Sequence, residues 1–112
     1  MPRAIWNGQV LADSDNMKVV EGNHYFPSES INWEFFTPNA HSSVCPWKGI
    51  ASYYDVEVDG KINRSAAWSY QDPSAAASQI KGYVAFWGGV KIIKRDNESS
   101  EGILRRLRIA FS

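Results

Sequence analysis

Alternation of apolar and polar residues is the clearest signal in this chain. Tyr54, Val56 and Val58 interleave with Asp55, Glu57 and Asp59. That period of two, with one wet face, predicts a half-buried strand. Asp59-Gly60 follows it as a hairpin turn, and a return strand is expected over 61–70. Residues 3–13 show the same design: Ala4-Ile5-Trp6 and Val10-Leu11-Ala12 flank Asn7-Gly8, a pair suited to a turn with positive φ at both centres. A third short strand is expected over 17–21, then a turn at Gly22-Asn23 before His24-Tyr25-Phe26. The stretch 44–60 reads as strand interrupted at Pro46. Residues 83–87, YVAFW, form an almost unbroken apolar strand. Gly88-Gly89 bends or bulges it, and strand resumes over 90–94.

Two segments break the period-two pattern. Ser28 can cap a helix, and Ile31, Phe35 and Phe36 recur near helical spacing, so a short helix is expected over 28–35. Thr37-Pro38-Asn39-Ala40 ends it, because proline disfavours helical geometry in the residue before it. The alanine-rich run 74–81 predicts a second short helix that stops at Gly82. The sum is mainly β: a small, single-domain antiparallel β structure with two short helices. It is expected to occupy residues 1–95. A polar linker and a basic-apolar C-terminal tail follow over 96–112. In that tail, helical and strand periodicity fit equally well.

Length and composition narrow the function classes. With 112 residues, the chain is sized for one modest core. Aromatic residues make up 13%, which suggests a sheet-rich core or a ring-lined pocket. Twelve basic residues balance twelve acidic ones, so no global field draws the chain to nucleic acid or an anionic membrane. One cysteine excludes an internal disulfide and a four-cysteine zinc site. No apolar run approaches the length of a membrane span, and the N-terminus lacks a signal-peptide core. The expected compartment is the cytoplasm.

The densest chemistry lies in His41-Ser42-Ser43-Val44-Cys45-Pro46-Trp47-Lys48-Gly49. Cys45 is a candidate nucleophile or redox centre, activated by Lys48 or by His41 as general base. It reads equally as a buried packing cysteine, and His41 as a loop histidine. His24, His41 and Cys45 match no zinc spacing, so neither metal nor cofactor is expected. Lys48 is a candidate anion contact, and Gly49 would allow close approach of a ligand or another backbone. Trp47, Tyr53 and Trp68 are expected to share one cleft with Lys48. Glu21, Asn23 and Tyr25 could orient a polar ligand there, or serve only in a turn and the core. Trp68 and Tyr70 share a face, so one of them is expected in the core.

WNGQVLADSD, VEGNHYFP, CPWKGIASYYDVEVDG, AAWSYQDP and IKGYVAFW occur in that order. With these blocks, residues 4 to 94 resemble the bacterial domain-of-unknown-function 427 family, sometimes labelled nucleotidyltransferase-like. The resemblance implies a small β-tent, or Mss4-like, fold. Relatives by fold often bind zinc through two CxxC pairs, and this chain has none. Neither a glycine-rich phosphate loop nor a paired-aspartate metal motif accompanies the nucleotidyltransferase label.

Three functions follow. A small-molecule-binding domain, for a nucleotide or another anion, requires an aromatic pocket with Lys48 at its rim. An enzyme requires the Cys45 sulfur near His41 or Lys48 in an open cleft. An interaction module requires an apolar patch and a homodimer, with the tail docked on this domain or on a second copy.

Overall fold

Three two-residue turns organise the strands. Asn7-Gly8, Glu21-Gly22 and Asp59-Gly60 each carry positive φ at both residues, the geometry whose twist matches flanking antiparallel strands. The first joins β1 (Arg3–Trp6) to β2 (Gln9–Asp13). The second joins β3 (Lys18–Val20) to β4 (Asn23–Phe26), one residue earlier than the Gly22-Asn23 turn expected from sequence. The third joins β6 (Gly49–Val58) to β7 (Lys61–Ser69). β5 (Phe36–Cys45), β8 (Val84–Phe86) and β9 (Lys91–Ile93) complete the set. This computed structural model describes residues 1–94. The linker and tail expected over 96–112 lie outside them.

The strands form two antiparallel sheets, with orders β2-β1-β9 and β3-β4-β8-β7-β6-β5. Gly88-Gly89 turns the chain out of β8 so that β9 joins the smaller sheet beside β1. The smaller sheet packs on one face of the larger one. Leu11, Phe26, Phe36, Val56, Val84 and Phe86 fill the space between them. Phe86 meets Phe26 and Phe36 edge-to-face, with centroids 5.9 and 6.1 Å apart. Each such ring contributes about 1.5–3 kcal/mol through burial. Tyr25, Ala51, Tyr70, Ala77, Ile80 and Ala85 form a second cluster, with Tyr25, Ala51 and Ala85 on the opposite face of the sheet.

Neither expected helix forms as an α-helix. Residues 28–35 hold two 3-10 turns, Ser28–Ser30 and Trp33–Phe35. Between them the chain is pinned extended: Ile31 bridges Ala12, and the Asn32 amide donates to Leu11 O at 2.9 Å. Ala75–Ile80 is a 3-10 stretch broken at Ala77. Ser74 stands at its start and accepts the Ala77 N–H at its carbonyl, but its hydroxyl makes no side-chain cap because it donates to Trp47 O, and its N–H donates to Lys48 O. The residues expected to end a helix, 37–40, instead open β5. β5 is an edge strand, where Pro38 removes no needed ladder bond.

Two bulges shape the larger sheet. Between Pro38 and Ser42 on β5, three residues face Tyr53 alone, and on β7 three residues, 64–66, face Asp55 alone. Bulges bend strands and sharpen twist. Their combined effect is visible at the sheet's diagonal corners. Tyr25, Ala85, Trp68 and Tyr53 lie in one cross-strand row. In a flat sheet, Asn23 and Gly49 would lie about 14 Å apart across the strands and about 20 Å along them. The neighbouring side chains of Glu21 and Lys48 nevertheless touch at 2.5 Å. The sheet is therefore strongly coiled, and the row of rings lies on its concave face.

Candidate functional site: an aromatic cleft around a buried lysine

Pro46-Trp47-Lys48 forms the tight turn between β5 and β6, closed by Lys48 N–H donating to Cys45 O at 3.2 Å. Residues 72–74 clamp it from outside through the two Ser74 bonds. Gly49 makes that clamp fit. Its φ is +119°, and a Cβ there would meet Pro73 Cα at 3.4 Å. The clamp directs the Lys48 side chain inward, where the residue is only 4% exposed.

An ammonium buried this deeply needs partners. Lys48 Nζ lies 2.5 Å from Glu21 Oε1, and Trp47 Nε1 donates to Glu21 Oε2 at 3.1 Å. The ammonium also sits 5.3 Å from the Trp47 ring centroid and 5.6 Å from that of Tyr70, within cation–π range. Burial alone would lower the lysine's pKa. The Glu21 hydrogen bond, with the electrostatic contributions of Tyr25 and Tyr70, outweighs it, so Lys48 is held above its usual range. Hydrogen bonds from Lys48 and then Trp47 hold the Glu21 carboxyl below the ordinary glutamate range. Burial pushes the Tyr70 phenol up, against the pull of Lys48.

Beside this pair lies a cleft of about 200 Å³ lined by Asn23, Lys48, Tyr53, Trp68, Tyr70 and Trp87. Tyr53 and Trp68 are direct cross-strand partners. Trp68 also meets Tyr25 edge-on at 6.4 Å. Tyr25 is fully buried, and its hydroxyl has no hydrogen-bond partner among the described residues. It lies close enough to Lys48 and Tyr70 to shift both electrostatically. Trp87 is 58% exposed and hangs on the β7 bulge, its indole N–H donating to Ser65 O at 2.5 Å.

The residues singled out in the sequence do not all converge. Lys48, Tyr53, Trp68 and Asn23 line the cleft. Trp47 and Glu21 join it through Lys48, and Tyr25 lies behind it. Gly49 instead borders a larger, shallow groove of about 510 Å³ with Ile50, Ser52 and residues 71–74. Cys45 is half-buried against the second cluster. The exposed His41 ring packs against Tyr53, centroids 4.4 Å apart and planes tilted by 51°. Four residues of strand separate the two, about 13 Å between Cα atoms, so His41 does not pair with Cys45. His24 lies in β4, and its Nε2 is buried without a partner among the described residues. Among those residues, no histidine, cysteine and carboxylate group gathers to hold a metal.

Two lining residues stand outside the set chosen from sequence, Tyr70 and Trp87. Both carry a parity signal. Tyr70 shares a face with Trp68, and Trp87 with Ala85, Trp68's partner across the sheet. Trp87 itself lies just past β8, where the strand expected over 83–87 has ended.

No helix among the described residues is long and apolar enough to cross a membrane. No curated protein matches the chain. Residues 2–97 match the family model described as a domain of unknown function, DUF427, and the chain belongs to that family.

Proposed function

We propose that this protein is a small-molecule-binding domain of the cytoplasm whose ligand carries a ring and a negatively charged group. The observation that carries this reading is the buried, protonated Lys48 at the wall of an aromatic cleft. Its ion-pair partner Glu21 has a side chain 53% exposed. The cation is sequestered at the cleft wall, while the carboxylate that neutralises it belongs to a half-exposed side chain held there by Lys48 and Trp47. Tyr53, Trp68 and Trp87 supply ring faces for stacking, and Asn23 supplies an amide that both donates and accepts. In this reading neither nucleic acid nor membrane is a partner, consistent with balanced charge.

The test is a screen of anionic and neutral metabolites by ligand-observed NMR, on wild type and Lys48→Met. Binders that lose about tenfold or more in affinity in the variant support the reading. Binders indifferent to Lys48 overturn its role as the anion contact.

A further inference from the structure

Glu21 presents a carboxylate to two donors, one on each oxygen: the Lys48 ammonium at 2.5 Å and the Trp47 indole N–H at 3.1 Å. That is a two-point carboxylate site, and one of its two donors, Lys48, also lines the aromatic cleft. We propose that the ligand is a small aromatic carboxylic acid and that Glu21 is its internal competitor, holding the two donors until the ligand's carboxylate replaces it. The inference rests on the binding role proposed for the cleft.

Three observations support it. Glu21 sits in a two-residue turn at φ +54°, with its side chain half in solvent, so release requires rotation of one side chain and no repacking. The cleft holds about 200 Å³, less than the roughly 300–1,000 Å³ of sites for drug-sized molecules. One ring with a short acidic arm suits that space. Lys48 is the one cationic side chain lining the cleft among the described residues. A carboxylate matches it charge for charge, whereas a phosphate dianion would ask for more cations or a nest of backbone amides.

The experiment uses the full chain and three probes with one ring and different heads: phenylacetate, phenylacetamide and phenyl phosphate. Affinity is read from the indole NMR resonances of Trp68 and Trp87. Phenylacetate is expected to bind best. Glu21→Gln is expected to tighten it by up to about tenfold, since an occluded site loses apparent affinity in proportion to the occluded fraction. Glu21→Asn, a residue that tolerates positive φ, serves if the glutamine variant folds poorly. Phenylacetamide binding as well as phenylacetate, or phenyl phosphate binding better, overturns the carboxylate assignment and leaves the binding role standing. Unchanged phenylacetate affinity in both Glu21 variants overturns the competitor. If all three probes leave both indoles unmoved in wild type and in the Glu21 variants, the binding role falls with the inference.

Discussion

Asp55 holds the backbone amide of Ser65 at 2.9 Å, and that bond fixes the bulge on which one wall of the cleft hangs. The same Oδ1 accepts from Asn39 Nδ2 at 2.8 Å, so one carboxylate ties together the bulges of β5 and β7. Ser65 sits at φ +53°, costly for a serine without such support. The bulge carbonyls then receive Trp87: Ser65 O takes its indole N–H, and Ala66 O takes its backbone N–H at 3.0 Å.

Removing that carboxylate should therefore damage stability and site together. Asp55→Ala leaves the Ser65 amide and the Asn39 side chain short of an acceptor, at an expected cost of about 1–3 kcal/mol in urea unfolding. Asp55→Asn keeps one oxygen and should lose less. In the alanine variant the Trp87 indole resonance should shift while that of Trp33, which bonds Ser28 O elsewhere, stays in place. An unshifted Trp87 would uncouple the bulge from the cleft.

Acid should weaken the fold in two stages. Burial first, and then the Lys94 charge, push the His24 pKa down. Its contribution is complete above the unfolded value of about 6.5 and is lost as pH falls below it. The Ser65 amide first, and then Asn39, hold the Asp55 carboxyl below the ordinary range. Lys48 does the same for Glu21. Those contributions are complete above the unfolded values of about 4 and are lost as pH falls through the depressed folded values. Urea unfolding against pH should show both slopes. Asp55→Asn should flatten the lower one, and His24→Gln the upper. An unchanged profile in either variant would assign that slope to another group.

Local sequence accounts for much of this architecture and stops at identifiable points. Asn7-Gly8 and Asp59-Gly60 announce two hairpins, because positive φ at two successive residues is a local requirement, whereas the third pair is Glu21-Gly22 and reads one residue late because glutamate does not mark positive φ. The alternation over 54–58 follows from the same period. The pairing of Tyr53 with Trp68 does not: an unbulged hairpin from Asp59-Gly60 would set Ala66 opposite Tyr53, and the bulge at 64–66 brings Trp68 there instead. β5 hides because an edge strand with a mostly wet surface needs no apolar alternation, and its Pro38 reads as a terminator. The alanine-rich run 75–80 looks helical because the competing demand on Ser74 comes from the Lys48 turn, far away in sequence. The Glu21–Lys48 pair was equally hidden. It exists only because the sheet coils, and the coil depends on a bulge at Ser65, which lacks the glycine or asparagine that usually marks positive φ.

Gly49 is a position where the turn that carries Lys48 is sensitive to a single methyl group. Its φ of +119° suits glycine, and an added Cβ would meet Pro73 Cα at 3.4 Å and Asp72 O at 3.5 Å. Gly49→Ala should cost about 1–3 kcal/mol from backbone strain. It should also loosen the clamp on the Lys48 turn, so ligand affinity should fall with stability. Gly60→Asn is the control. A Cβ at Gly60 meets nothing within 4 Å, and asparagine tolerates positive φ. Equal losses at the two sites would mean that contact with residues 72–74 is irrelevant.

Trp68 and Trp87 line the same cleft but are held in opposite ways, which allows function to be separated from folding. Trp68 is half-buried and lies against Tyr25 and Tyr53, with centroids 6.4 and 6.3 Å away. Trp68→Ala should cost about 2–3 kcal/mol, somewhat less than the roughly 3–5 kcal/mol for truncating a fully buried ring. Trp87 is 58% exposed and gives the fold chiefly one indole hydrogen bond. Its truncation should cost about 1 kcal/mol. An exposed indole beside a cleft has its main use only when something stacks on it. Trp87→Ala should therefore weaken an aromatic ligand by about 1–2 kcal/mol, several-fold or more, while the melting profile barely moves. Calorimetric titration beside thermal unfolding reads both quantities on one sample. Full affinity in Trp87→Ala would place the ligand elsewhere, with the shallow groove along Gly49, Ile50 and residues 71–74 next in line.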